Sequence, residues 1–218
     1  MLDAAVAELA VAFSLDGDGP RFMQDAEDLA ADALPVERLL IDIAATSPGT
    51  NTDLLARQGR VAQLGRAAAA MSLFTLQAWA PSGGRGNRTG LRGGGPLTTL
   101  AVPGDRPTLW QVLWANVPFG EPATADEMPL IFPWLAPTRT SEGAQVVPPQ
   151  NADPRQCWWA MPRRIRLDFT TAPAGANCDI TGRADAVLVT GWRQRPYGAN
   201  YAVWTHPLSP HYRSKAGG

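Results

Sequence analysis

The sequence predicts an α+β fold: N-terminal helices, then a glycine-rich loop and a small, mostly antiparallel sheet with long irregular connections. Three observations predict it. Apolar residues recur at helical spacing through much of the first 80 residues. Runs of strand length with alternating or β-branched apolar residues come late, at 157–169 and 184–192, around a turn region at 172–182. Helical patterns that precede strand patterns, rather than alternating with them, point to α+β. At 218 residues and 45% hydrophobic, the chain can build a real core. A single domain over 1–218 is expected: 1–80 helical, 81–107 a Gly/Arg loop and strand, 108–156 a helix and proline-rich connection, 157–218 β-rich.

Met1–Leu15 spaces Leu2, Val6, Leu9, Val11 and Phe13 as an amphipathic helix, and DGDGP at 16–20 breaks it. Phe22 and Met23 lead into a second helical pattern, with Leu34, Val36, Leu39, Leu40 and Ile43 toward a core and Pro35 opening a fresh turn. SPGTNTD at 47–53 is turn-rich. Val61–Ala80 is the strongest helix, alanine-rich, free of proline and stopped by Pro81. Pro96–Val102 reads as a short strand and Thr108–Val117 as another helix, with Leu109, Val112, Leu113 and Asn116 in phase. Residues 118–156 hold eight prolines and no period, too long a stretch for an ordinary connection. RPYG at 195–198 makes a turn, and WTHPLSPHYR follows near the end.

Net charge is −1, but its distribution is uneven. Residues 1–53 carry 11 acids against Arg21 and Arg38, and residues 54–104 carry six arginines and no acid. The acid-free block contains SGGRGNRTGLRGGG (82–95), in which seven of 14 residues are glycine and three are arginine. Glycine lets a backbone approach a partner closely, and arginine offers a planar fork of donors to phosphates and base edges. Two readings fit the asymmetry: a loop facing a polyanion, or a solvated acidic helix pair beside a glycine-rich turn. The 18 arginines against one lysine reflect composition more than site.

Chemistry with a recognisable signature is missing. The loop lacks the lysine of a phosphate-binding P-loop, and Gly84-Arg85-Gly86-Asn87-Arg88-Thr89 fails the last position of a dinucleotide fingerprint. There is no GxSxG or HExxH. His206 and His211 sit in a proline-broken segment and read as structural. Cys157, beside two tryptophans, reads as a small core residue. Trp158 and Trp159 lie on opposite faces of the expected strand, so one of them at most is buried against a single core; base stacking is the other reading. Cys157 and Cys178 form no CxxC pair, no signal peptide is visible, and no apolar run spans a bilayer, so the cytoplasm is the default.

Four segments, in order, resemble the CasA family, the large subunit of the type I-E CRISPR surveillance complex Cascade: RFMQD (21–25), LFTLQAWAPSGGRGNRTGLRGGGPLTTL (73–100), CWWAMPRRIRL (157–167) and RPYGANYAVWTHPLSPHYR (195–213). The resemblance implies a non-catalytic subunit without cofactor. Such a subunit checks double-stranded target DNA for a protospacer-adjacent motif, while base pairing with crRNA reads the sequence. It implies a motif-reading loop at Ser82, Gly83, Gly84, Arg85, Gly86, Asn87 and Arg88; by their charge, Arg85 and Arg88 could hold phosphates on either side of it. It implies a minor-groove basic residue at Arg195, and a segment near the crRNA 5′ region that includes Asn51, Thr52, Asp53, Leu54, Arg57 and Arg60. The implied partners are the target duplex, crRNA, the other Cascade subunits and a recruited helicase-nuclease, with no membrane. Where many members carry two Cys pairs that point to zinc, this chain has LGRA at 64–67 and only Cys178, so no metal is expected. Arg92 and Gly93–Gly95 also read as a turn paired to the acidic block. The family continues into a C-terminal helical bundle that holds the duplex-splitting wedge, so a fragment or a minimal version is expected here. A docking module without DNA readout and, more weakly, a small anion-binding or nucleotide-binding enzyme are the competing readings.

Overall fold

The computed structural model describes residues 7, 9–44, 57–81, 83–84, 86–91, 99–120 and 123–209. One long strand organises them. β4 (Val187–Arg195) pairs antiparallel along its length with β3 (Arg164–Thr171), in a register of Arg164 with Arg195 and Thr171 with Val187, shifted by a bulge at Asp168/Phe169. Two short strands share the opposite edge of β4: β1 (Leu34–Pro35) at Trp192 and Gly191, and β2 (Leu64–Gly65) at Val189 and Leu188. The sheet is wholly antiparallel, and the α+β class holds.

Four α-helical segments are described: α1 (Ile41–Ala44), α2 (Arg66–Ala78), α3 (Leu109–Ala115) and α4 (Met128–Ile131). α2 buries Ala68, Ala69, Leu73, Leu76 and Gln77, one face at helical spacing, in the core that takes Val189 and Trp192 from β4. It starts at Arg66 rather than Val61. The Asp179 carboxylate accepts from the N–H groups of Ala62 and Gln63 (2.7 and 3.0 Å), and Leu64-Gly65 joins the sheet.

The first turn of α2 is capped from outside. Asp185 accepts from Arg66 N and Arg66 Nε, both at 2.9 Å. The Arg66 contact holds the Asp185 carboxyl at a pKa of about 2, against roughly 3.9 unperturbed. A depressed pKa contributes stability above the unfolded value and loses it as pH falls. Asp185→Asn is therefore expected to lower the Tm at pH 7. The gap to wild type should close as the pH falls from about 4 to about 2. Thermal melts across that range check it, and a constant gap would remove the ion pair from the account.

The N-terminal region differs from its expectation. Of the first expected helix, Met1 to Val6 and Glu8 lie outside the described residues, Ala7 is helical, and Ala10–Phe13 is a single 3-10 turn. The second pattern is broken into β1, a 3-10 turn at Val36–Leu39 and α1, though Val36, Leu39 and Ile43 are buried as expected. The apolar phase marked the core correctly, but Pro35 and the pairing of β1 interrupt the backbone. Thr99–Val102 forms no strand, while Pro96 to Thr98 lie outside the described residues. α3 forms because Thr108 and Gln111 make a reciprocal capping box. The proline-rich 118–156 stretch contributes Met128, Ile131, Phe132 and Trp134 to the core through 3-10 turns and α4. Cys157 and Trp158 lie in a 3-10 turn (Pro154–Trp158), not in a strand, so the two tryptophans do not alternate across a sheet. Trp159 joins an aromatic cluster with Phe13, Phe22, Phe132 and Trp134, whereas Trp158 stacks edge-on against His206 at 4.7 Å.

The RFMQD stretch is a clasp on β3. Asp25 N donates to Ile165 O, and Gln24 Oε1 accepts from Leu167 N, both at 2.9 Å. These bonds satisfy the edge of β3 that β4 leaves open. Asp25, with no exposed surface, accepts from Arg164 Nε at 2.6 Å. Buried Gln77 ties the clasp to α2, donating to Met23 O and Arg163 O and accepting from Arg163 N.

Candidate nucleic-acid interface

Beyond Pro81 the chain leaves α2 and enters the glycine loop. Of the expected motif-reading residues, Gly83, Gly84, Gly86, Asn87 and Arg88 are described. Ser82 and Arg85 lie outside the described residues, as do Asn51, Thr52, Asp53, Leu54 and Arg92. The three glycines are not equivalent. A methyl group on Gly83 would sit 2.8 Å from Arg163 Nη1, and one on Gly86 would sit 2.8 Å from Pro196 Cβ. Both glycines allow the loop to lie against its own protein. Gly84 has φ +84° and is exposed, and a methyl group there would meet nothing within 4 Å. Of these three described glycines, it is the one whose backbone has open space around it.

The rest of the loop is fastened from within. Asn87 N donates to Gly84 O at 3.1 Å, Asn87 Nδ2 to Gly83 O, and Gln194 Nε2 to Asn87 Oδ1. Tyr197 N donates to Gly86 O at 2.6 Å. Arg88 is half-buried, with Nε donating to Ser141 Oγ at 2.8 Å. Asn87 and Arg88 therefore hold the loop's shape in this structure. Arg195, exposed at the end of β4, donates to Ala30 O and immediately precedes the turn that grips Gly86. The structure thus brings the loop and the strand end carrying Arg195 together. Arg57 and Arg60 are exposed on a separate segment, which Glu37 holds by accepting from Gly59 N at 2.6 Å.

Behind the loop is a cleft of about 230 Å³ lined in part by Gly83, Asn87, Gln194, Arg38 and Arg163. Sequence reasoning did not single out Arg163, Arg38 or Gln194. The sequence carried no signal for Arg163, which sits in a bend just before β3 with its neighbour Arg164 also buried. Arg163 is only 6% exposed, and burial pulls its pKa below the usual value. A guanidinium still stays protonated at neutral pH.

Elsewhere, burial pushes the Cys157 thiol up to about 11, which fits a core residue rather than a nucleophile. His206 is buried, and its Nδ1 accepts from Leu208 N at 3.1 Å. His211 lies outside the described residues. Among the described residues no group of three or more His, Cys, Asp or Glu side chains gathers to hold a metal, and no described helix is long and apolar enough to cross a membrane.

The family model for CRISPR-associated protein Cse1 matches residues 1–218. The fold is similar to a solved structure of Thermus thermophilus CasA (Cse1), with a TM-score of 0.51 at 19% identity, covering 95% of this chain and 38% of that one. It is similar also to a crystal structure of a CRISPR associated protein from Thermus thermophilus, with a TM-score of 0.51 at 17% identity and coverage of 95% and 36%. At these identities the likeness establishes the fold, and the chain spans well under half the length of either solved relative.

Proposed function

The chain belongs to the CRISPR-associated protein Cse1 family, and from that premise we propose that it is a non-catalytic subunit of a crRNA-guided, type I-E Cascade surveillance complex that reads the protospacer-adjacent motif of duplex DNA with its glycine loop. The observation that carries the reading is Gly84, exposed, with positive φ and open space where a side chain would stand. Such a backbone can enter a minor groove, where readout is degenerate and therefore permissive. Arg195 and Arg88 put positive charge beside the loop, and charge of this kind adds salt-sensitive, sequence-blind affinity. The crRNA 5′ region, the other Cascade subunits and a recruited helicase-nuclease are its further partners in this reading, with Arg57 and Arg60 on the crRNA-proximal segment.

Gly84→Asn tests it. Asparagine tolerates positive φ better than other side-chain-bearing residues, so the fold should lose no more than about 1 kcal/mol. Its side chain would nonetheless stand in the groove. Motif DNA should bind the assembled complex about tenfold or more weakly, the scale of one mismatched base pair, with binding to motif-free DNA unchanged. Undiminished discrimination would sink the reading.

One observation favours a docking module instead. α3 buries none of its residues, and Leu109, Trp110, Leu113 and Trp114 are all about half exposed or more. Under that reading Trp110→Ala with Trp114→Ala disturbs assembly, and Gly84→Asn changes nothing.

A further inference from the structure

Two arginines, Arg38 and Arg163, line the cleft behind the glycine loop, and no carboxylate lines it among the described residues. Neither arginine takes part in the ion pairs found among the described residues. The nearest acid in sequence to Arg38, Glu37, is turned to Gly59 N. Arg163 is 6% exposed, its Nε has no hydrogen-bond partner, and its Nη2 donates to the Pro81 carbonyl. Burying a cation without a counter-charge is costly, and an anion that enters removes that cost. Trp192 and Leu76 make apolar wall, which strengthens any ion pair formed there. The volume of about 230 Å³ is several times the roughly 30 Å³ share of one water, room enough for a small oxyanion.

We propose that this cleft binds one phosphodiester of the target DNA backbone between Arg38 and Arg163, with the loop residues Gly83 and Asn87 at its rim. The inference rests on the duplex-reading role of the loop, since those two residues belong to both sites. Arginine suits the task because its fork of donors matches phosphate oxygens. The contact carries no sequence information. It sets where the duplex lies relative to Gly84, as phosphate contacts generally do.

The test is a methylphosphonate scan, which neutralises one phosphate at a time in motif-bearing duplex, with binding measured on the assembled crRNA-guided complex. Wild type should lose about tenfold at one position near the motif, the worth of a charged hydrogen bond. Arg38→Gln should lose the same on unmodified DNA and nothing further at that position. Its salt slope should be shallower by about 0.9, and the ratio of motif to non-motif binding should stay as in wild type. Arg38 makes no bond among those found, so this variant is expected to fold, whereas Arg163→Gln would disturb the loop as well. If neutralisation and Arg38→Gln add at every DNA position, or the salt slope is unchanged, the site is wrong. A non-additive position found in the crRNA instead overturns the DNA assignment. Gly84→Asn separates this failure from failure of the loop reading, because only the loop reading makes discrimination depend on Gly84.

Discussion

Asp25→Ala is expected to destabilise the fold by about 3–5 kcal/mol, the scale of breaking one side of a buried ion pair. Asp25 has no exposed side-chain surface, and Arg164, 10% exposed, keeps only the more distant and exposed Glu27 and Glu142 as partners when it is gone. Glu27 N also loses its acceptor, since it donates to Asp25 Oδ1 at 2.9 Å. The clasp on β3 would then rest on backbone bonds and Gln24. Replacing both partners with apolar residues, Asp25→Leu with Arg164→Met, should cost less than the single change, because no charge is left stranded. Urea unfolding of the three proteins decides it. If the single variant keeps its midpoint, the clasp is not what secures β3.

Trp134→Ala should cost a similar amount, about 3–5 kcal/mol, for a different reason. Trp134 is 1% exposed and sits among Phe22, Phe132, Trp159 and Phe13 at centroid distances of 5.2, 5.1, 5.9 and 6.2 Å. Its removal leaves a cavity that rings from four chain segments cannot close together. Trp134→Phe keeps much of the volume but strands the Ala12 carbonyl, which accepts from the indole N–H at 2.6 Å, so about 1–3 kcal/mol is expected. Denaturant titration with an unchanged m-value would report both losses. An alanine variant within about 1 kcal/mol of wild type would mean that the proline-rich stretch is an accessory to the core.

What could be read in advance follows the range of the interactions. α3 was legible because Thr108 and Gln111 settle it three residues apart. The end of α2 was legible at Pro81, but its start was not, because Asp179, more than a hundred residues away, claims the N–H groups of Ala62 and Gln63. The 3-10 turns of 118–156 bury their aromatics without a period, so no spacing announces them. Within the candidate site, the glycines stood out by composition. Only the packing shows that Gly83 and Gly86 answer to Arg163 and Pro196, which leaves Gly84 as the position where a substitution tests binding with the least disturbance of the fold.

The placement of β4 bears on how the chain comes into being. Its three partners begin at residues 34, 64 and 164, yet none pairs with another, and β4 itself ends at 195. A ribosome making this protein from its N-terminus therefore releases three strands in turn with nothing to join them. Loop closure over such separations is slow, and waiting strands expose edges and apolar faces. The turn at 24–25 can occupy one edge of β3 before β4 arrives. Leu34 and Leu64 have no such cover from the sheet and must wait for residues made more than a hundred positions later.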